Sequence, residues 1–496
     1  VTTFWELLSA AATDHPDRVV VADDHGRSLT SVQLRDAAES VAAGLAVGPD
    51  DVVSWQLPTV LESIVVLCAL ARVGATQNPV IPILRKREVG LITVAMGTTV
   101  LLVPEVWRGF AHGDMARELG GMRVVALDLE GDVPASLRLP TGDPASLPAP
   151  PTDGSAARWV YFSSGTTADP KGARHTDESL MASALCMEHH LGFGEGDVYP
   201  IAFPIAHIGG VGMLTACLRS GGHIVLFDTF DPATTGERMA AHRPTILGSA
   251  VPFFRVYLDA QKRHGSSPLY PDLRTCTAGG APTPPEVVRE LSEAFGIDGV
   301  VQSWGLTEFP IATCAFPSDP PKVLAETIGK PGPGMSLRVV DGELRLKGPQ
   351  CFLGYLDSSL DADAFDSEGW FRTGDLGLVD DDGNAHITGR LKDVIIRNAE
   401  NISASEIEGV LLRHPAVADV AVIGLPDART GERVAAVVVL EPGASLTMDD
   451  VAAHCAAEEL ARQKTPEQLS FVDVLPRNPM GKVLKQQLKD SLATPA

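Results

Sequence analysis

Between Trp159 and Gly172, strand-forming residues lead into a loop of hydroxyls and small side chains. Ser163, Ser164, Thr166 and Thr167 supply donors, Gly165 lets the backbone approach a ligand closely, and Lys171 adds a cation. A triphosphate asks for that combination: many N–H and O–H donors, positive charge and no bulky side chain in the way. No Gly-Lys-Ser/Thr opens a helix here, so this is not a Walker loop. By composition alone, a polar surface loop accounts for the segment equally well. Asp375 stands in the glycine-flanked run Thr-Gly-Asp-Leu-Gly and reads first as a turn residue. Glu308 offers the hard anionic oxygen that Mg²⁺ takes up, and apolar Trp304 and Leu306 beside it argue against full exposure. Lys482, in a glycine-flanked turn, is by default a surface lysine.

Short β-branched runs alternate with helical patterns over most of the chain. The runs 124–127, 159–162, 223–227, 245–247 and 299–301 read as strands, and 61–73, 180–191 and 285–295 as helices. That alternation predicts an α/β fold with largely parallel sheets. Residues 140–154 form a Pro/Gly-rich loop. Ser403, followed three residues later by Glu406, is a capping box for a helix through Leu412. Strands at 420–423 and 434–440 and a helix from about 449 to 460 follow. The expected organisation is a large N-terminal domain of layered β-sheets with helices, 1–389, and a small mobile α+β C-terminal domain, 390–496.

The net charge of −23 argues against a broad nucleic-acid-binding face and against electrostatic docking on an anionic membrane. A hydrophobic fraction of 45% supports buried cores. Seven scattered cysteines, none in a C-x-x-C pair, read as buried thiols of a reducing compartment. Glu6 and Asp14 stand where a secretory signal would be apolar. The most apolar stretch, 60–84, is interrupted by Glu62, Arg72, Asn78 and prolines. The expectation is a cytoplasmic protein with no integral membrane segment and no nucleic-acid partner; a homodimer is left open.

The order SSGTTADPKG resembles the phosphate loop of the adenylate-forming superfamily, which holds acyl-CoA synthetases, luciferases and peptide-synthetase adenylation domains. The resemblance continues in order along nearly the whole chain. Phe203 to Gly212 (FPIAHIGGVG) is similar to the family's substrate-gate segment. Ala278 to Pro282 (AGGAP) and Ser303 to Glu308 (SWGLTE) resemble its adenine-binding segments. Gly369 to Gly377 (GWFRTGDLG) resembles the segment with its ribose aspartate, Gly389 to Asp393 (GRLKD) its hinge, and Pro476 to Lys485 (PRNPMGKVLK) the strip with its catalytic lysine.

The resemblance implies roles residue by residue. Ser163, Ser164, Gly165, Thr166, Thr167 and Lys171 would hold the phosphates of ATP. Gly280, Ala281, Pro282, Trp304 and Gly305 would hold the adenine, with Trp304 where the family usually has tyrosine. Thr307 would donate to phosphate, and Glu308 would bind Mg²⁺. Asp375 would take the ribose hydroxyls, helped by Arg390, and Lys392 would be the hinge. His207 would position the acid rather than act as a base. Lys482 would be catalytic: two anions must meet when a carboxylate attacks the α-phosphate, and like charges at 4 Å repel by about 4 kcal/mol at an effective dielectric of 20. An ammonium between them offsets that repulsion.

Two departures from the family pattern stand out. Ala168 replaces a glycine of the phosphate loop, and Ala399 replaces a glycine that borders the CoA tunnel in the loop after the hinge. The resemblance therefore implies an ATP-dependent carboxylic acid–CoA ligase that forms an acyl-adenylate, then a thioester, with ATP, Mg²⁺ and CoA as cofactors. The expected pocket segments 207–212, 248–253, 278–280 and Leu306 carry no carboxylate, and no Asp near Ile205 and Ala206 could hold an amino group. An apolar fatty, branched or cyclic acid is the expected substrate. Residues 56–88 are also similar to fatty-acid and alicyclic ligases. The alternatives are transfer to an acyl carrier protein, left open by Ala399, and a non-catalytic nucleotide-binding relative. Cations are sparse but local: 28 basic and 48 acidic residues precede Arg390, against 12 and 15 from it onward. Arg477, Lys482, Lys485 and Lys489 occur with no acidic residue among them.

Overall fold

Apart from Glu62, Ser63 and Arg72 near its ends, Leu61–Val73 carries apolar side chains on every face, and a helix of that kind has little to give to water. In the computed structural model every one of its residues is buried, so the most apolar stretch of the chain is a core helix. The structure describes residues 2–131, 133, 136–163, 170–280, 283–398, 400–427, 429–478 and 481–493. Among them no helix is long and apolar enough to cross a membrane. The chain divides into two compact units, one of residues 1–336 with 346–371, the other of 337–345 with 372–496. The second therefore begins upstream of Arg390, where the sequence places the start of the C-terminal domain.

Three sheets build the first unit. The largest runs Arg123–Leu127, Val100–Pro104, Val52–Trp55, Thr76–Pro79, Ala157–Ser163 and Lys171–Thr176. Its strands are parallel except the last, which turns back on Ala157–Ser163 as an antiparallel hairpin. A second sheet orders Ser28–Thr30, Val19–Asp23, His223–Leu226 and Val198–Ile201. A third orders Ile246–Leu247, Thr275–Ala278, Val300–Leu306, Phe309–Cys314 and Lys330–Pro331. It is parallel up to Val300–Leu306 and antiparallel beyond. Parallel pairing needs crossover helices, and it stops where two residues join the strands.

In the second unit the strands Phe371–Val379 and Ala385–Arg390 form an antiparallel hairpin. The C-terminal sheet orders Glu400–Ser403, Val394–Arg397, Gly431–Leu440 and Val417–Asp427, with Gln468–Phe471 parallel to Gly431–Leu440. Alternation along Val417–Asp427 feeds two cores. Val420 and Val422 face Ile407, Val410 and Val451 on one side. Ala421, Ile423 and Leu425 face Leu475 and Leu488 on the other. The mostly antiparallel pairing of this unit, set by its short connections, agrees with the α+β organisation expected for the C-terminal domain.

The helices 61–73 and 285–295 stand at the expected bounds. The third starts earlier, as Asp177–Leu191, because Thr176 caps it by accepting from the Ser179 amide. Helix Met448–Ala457 stops short of residue 460. Ser403 caps Ala404–Leu411, but only half of the expected box forms: the Glu406 carboxylate pairs with Lys464 at 2.7 Å instead. All seven cysteines are free thiols, six buried and Cys351 half-buried.

Candidate active site

The hairpin of Val300–Leu306 and Phe309–Cys314 turns on two residues, Thr307 and Glu308. The turn forces glycine at 305. A Cβ there would lie 2.0 Å from the Pro310 carbonyl oxygen, which is backbone and cannot rotate away. We expect Gly305→Ala to lower the urea midpoint and to cut acid-dependent pyrophosphate exchange at least about tenfold, by displacing the neighbouring turn. Unchanged exchange would separate the turn from the chemistry.

Glu308 is only 7% exposed. Its Oε1 accepts from the Tyr355 hydroxyl at 2.7 Å, and its carbonyl from the Phe352 amide at 2.9 Å. His175, fully buried, holds the other turn residue. Its Nε2 lies 2.8 Å from the Thr307 carbonyl and its Nδ1 3.0 Å from the Ser179 hydroxyl. Burial lowers its pKa to about 4, so the ring is neutral. A carbonyl only accepts, which puts the proton on Nε2 and leaves Nδ1 to accept from Ser179. Neither Tyr355 nor His175 was picked out from the sequence. Their contacts to the turn span 47 and 132 residues, and no local spacing reveals them.

Lys171 opens the strand Lys171–Thr176 opposite Ser163, and its Nζ lies 5.3 Å from the Tyr355 ring centroid. Ser164, Gly165, Thr166, Thr167 and Ala168 lie outside the described residues, as do Ala281, Pro282 and Ala399 and the side chain of Ser163. Gly280 has open space on its Cβ side. Trp304 is 5% exposed and pairs with Thr313 across the hairpin.

His207 is the N-cap of the helix Ile208–Ser220, a local role that the sequence reading did not assign. Its Nδ1 accepts from the Gly209 amide at 3.1 Å, so Nε2 carries the proton. Its enclosure lowers the pKa to about 4. Such a group orients a polar atom and is a poor base at neutral pH. It lines a small cavity of about 40 Å³ with Thr307, Tyr161, Phe162, Val80, Ile81 and Ile92 among the walls. The expected pocket segments supply His207 and Ile208. Residues 79–92 and 161–162 come from outside them.

A second group of predicted residues gathers in the other unit. Asp375 lies within the strand Phe371–Val379, 1% exposed, rather than in a turn. Gly374 kinks the strand with φ of 71°, and the Asp375 amide donates to Thr373 Oγ1 at 3.0 Å. Arg390 stands opposite Asp375 in the hairpin register and binds it, Nε to Oδ1 at 2.7 Å. Lys482 is half-buried nearby. Burial first, then repulsion from Arg390 and Lys392, lowers its pKa to about 8, against the pull of Asp375 and Asp393. Its backbone is fixed by Asn478, whose Oδ1 accepts from the Lys482 amide at 2.9 Å. The strip of cations is less free than its sequence suggests. Arg477 pairs with Asp419 at 2.6 Å and Lys485 with Glu408 at 2.7 Å. Among the described residues Lys482 makes no ion pair.

The family model described as AMP-binding enzyme matches residues 8–356, and that for the AMP-binding enzyme C-terminal domain matches residues 406–482. The chain is 31% identical to a medium-chain fatty-acid–CoA ligase of Escherichia coli, over 99% of this chain and 90% of the relative. It is 34% identical to a methyl-dioxo-octahydro-indenyl-propanoyl:CoA ligase of Mycobacterium tuberculosis, over 96% of each. Its fold is similar to that of the O-succinylbenzoate coenzyme A synthetase of Bacillus subtilis in complex with ATP and magnesium ion. That likeness has a TM-score of 0.84 and 26% identity, over 98% of this chain and 99% of the other.

Proposed function

We propose, for a chain that belongs to the AMP-binding enzyme family and is an AMP-forming acid–thiol ligase, that it activates an uncharged, apolar carboxylic acid with ATP and passes the acyl group to CoA. The acid's carboxylate oxygen attacks the α-phosphorus, and pyrophosphate leaves. The CoA thiolate then attacks the acyl carbon of the adenylate, and AMP leaves. The observation that carries the reading is the apolar cavity whose wall includes His207 and Thr307. Among the described residues its lining brings no carboxylate or cation to meet a second charge on the acid. A fatty acid and a fused-ring propanoic acid, the substrates named for the two relatives, are both largely apolar.

The residues fit the groups that the reaction needs. Glu308 presents a hard carboxylate, the donor that Mg²⁺ takes in ones or twos beside phosphates. Mg²⁺, when bound, neutralises charge on the polyphosphate. Asp375 and Arg390 offer an anionic acceptor and a fork of donors for the ribose, and Lys482 offers the cation for the α-phosphate. The His207 Nε2–H is free of its own capping bond and would orient the acid's carboxylate. Lys392 would be the point at which residues 390–496 reorient between the half-reactions.

A panel of medium-chain, branched and cyclic acids, assayed with ATP and CoA, tests the reading. Acid-dependent exchange of labelled pyrophosphate into ATP should appear with apolar acids, together with a thioester. No exchange with any acid would sink the assignment. Exchange without a CoA thioester would move the acceptor to a carrier protein.

A further inference from the structure

We propose that Tyr355 is a positioning residue for the first half-reaction: it holds the Glu308 carboxylate in place for Mg²⁺ and keeps it from pairing with Lys171. The inference rests on the reading of Glu308 as the Mg²⁺ ligand. The Tyr355 hydroxyl donates to Glu308 Oε1 at 2.7 Å, and the same ring carries the Lys171 ammonium 5.3 Å from its centroid. One side chain therefore touches an anion with its edge and a cation with its face. Glu308 sits in a poorly solvated region, since it and Tyr355 are each 7% exposed, and Lys171 is half-buried. A carboxylate and an ammonium so placed would attract each other strongly. Direct pairing would neutralise both and leave neither for a metal–phosphate complex. Among the described residues no ion pair joins them. A phenol satisfies one carboxylate oxygen without bringing charge, and an aromatic face holds an ammonium without neutralising it.

The tyrosine is itself held from several sides. Residues 352–356 lie along the strand Lys171–Thr176: Leu353 N–H donates to the Arg174 carbonyl, Arg174 N–H to Gly354, and Leu356 N–H to Gly172. Gly354 has φ of 121°, and a Cβ there would run into the Asp361 carboxylate. That carboxylate instead accepts from the Tyr355 amide at 2.8 Å. The Phe352 ring packs on the Tyr355 ring at 4.9 Å. So much support around one hydroxyl and one ring face is what a fixed site needs.

Calorimetric titration of the full chain with ATP, in Mg²⁺ and in EDTA, tests the proposal without turnover. The ratio of the two Kd values measures how far Mg²⁺ strengthens ATP binding. Tyr355→Phe should lower that ratio about tenfold and leave the EDTA Kd within about twofold. Tyr355→Leu, which also removes the ring, should weaken ATP binding in EDTA, because Lys171 is then free to collapse onto Glu308. Glu308→Gln should lose the Mg²⁺ effect, and adding Tyr355→Phe to it should change nothing further. A parent-like ratio in Tyr355→Phe, an unchanged EDTA Kd in Tyr355→Leu, or additive losses in the double variant would overturn the proposal. If Glu308→Gln itself keeps the parent ratio, the reading of Glu308 fails and takes the role of Tyr355 with it.

Discussion

Lys482→Ala is expected to reduce acyl-adenylate formation by about 10³-fold or more, and to leave thioester formation from a supplied acyl-adenylate within a few-fold of the parent. The expectation follows from where the charge stands. Arg477 and Lys485 are tied to Asp419 and Glu408, so they cannot replace the lost ammonium. Arg390 is tied to Asp375. Lys482, by contrast, has no ion pair among the described residues, and the Asn478 turn fixes its backbone. Pyrophosphate exchange reports the first half-reaction, and CoA thioester formation from synthetic adenylate reports the second. Equal loss of both would count against a lysine used only for adenylation.

The same lysine sets a pH dependence. Its pKa is lowered to about 8 by burial and by Arg390 and Lys392. In the free enzyme the ammonium is present below that value and lost above it. The kcat/KM of adenylation should therefore fall as pH rises through about 8. Stability should move the other way. Between about 8 and the ordinary value of 10.5 the unfolded chain binds more protons at this site, so this lysine's contribution to stability grows with pH. Bound triphosphate favours the charged form, so the limb in kcat should lie at higher pH than the limb in kcat/KM. Coincident limbs would mean that nucleotide does not meet Lys482.

What the sequence disclosed and what it concealed divide along physical lines. The helix Leu61–Val73 and the strand cores of Ala157–Ser163 and Gly431–Leu440 were legible because local patterning dictates them. The start of Asp177–Leu191 was hidden because its first turn is polar: Thr176 caps it, and Asp177 is buried by bonding the Trp159 indole at 2.6 Å. The order of motifs pointed to Glu308, Asp375, Arg390 and Lys482. It could not show what holds them. His175 and Tyr355 reach the 307–308 turn across sheets, and the pairing of Asp375 with Arg390 depends on hairpin register. A motif marks the groups proposed to meet the substrate, whereas supporting groups are fixed by long-range packing and leave no local spacing.

That pairing carries the second large expectation. Asp375→Asn should raise the KM for ATP about 100-fold, since a neutral amide is a weaker acceptor for two ribose hydroxyls than a carboxylate. It should also lower stability, because Arg390 loses its partner beside a side chain that is 1% exposed. Breaking a buried pair costs several kcal/mol, but Arg390 keeps 30% of its side-chain surface, which brings the expected loss to about 1–3 kcal/mol. Two effects of one substitution need separating. Arg390→Gln alone should destabilise because the buried Asp375 loses its guanidinium partner. The double variant with Asp375→Asn removes both charges, so its urea midpoint should recover part of the loss. Its KM for ATP should not recover, because neither the anionic acceptor nor the guanidinium fork remains. If the KM returned with the midpoint, Asp375 would be a structural ion-pair partner alone, and the ribose would have to be held elsewhere.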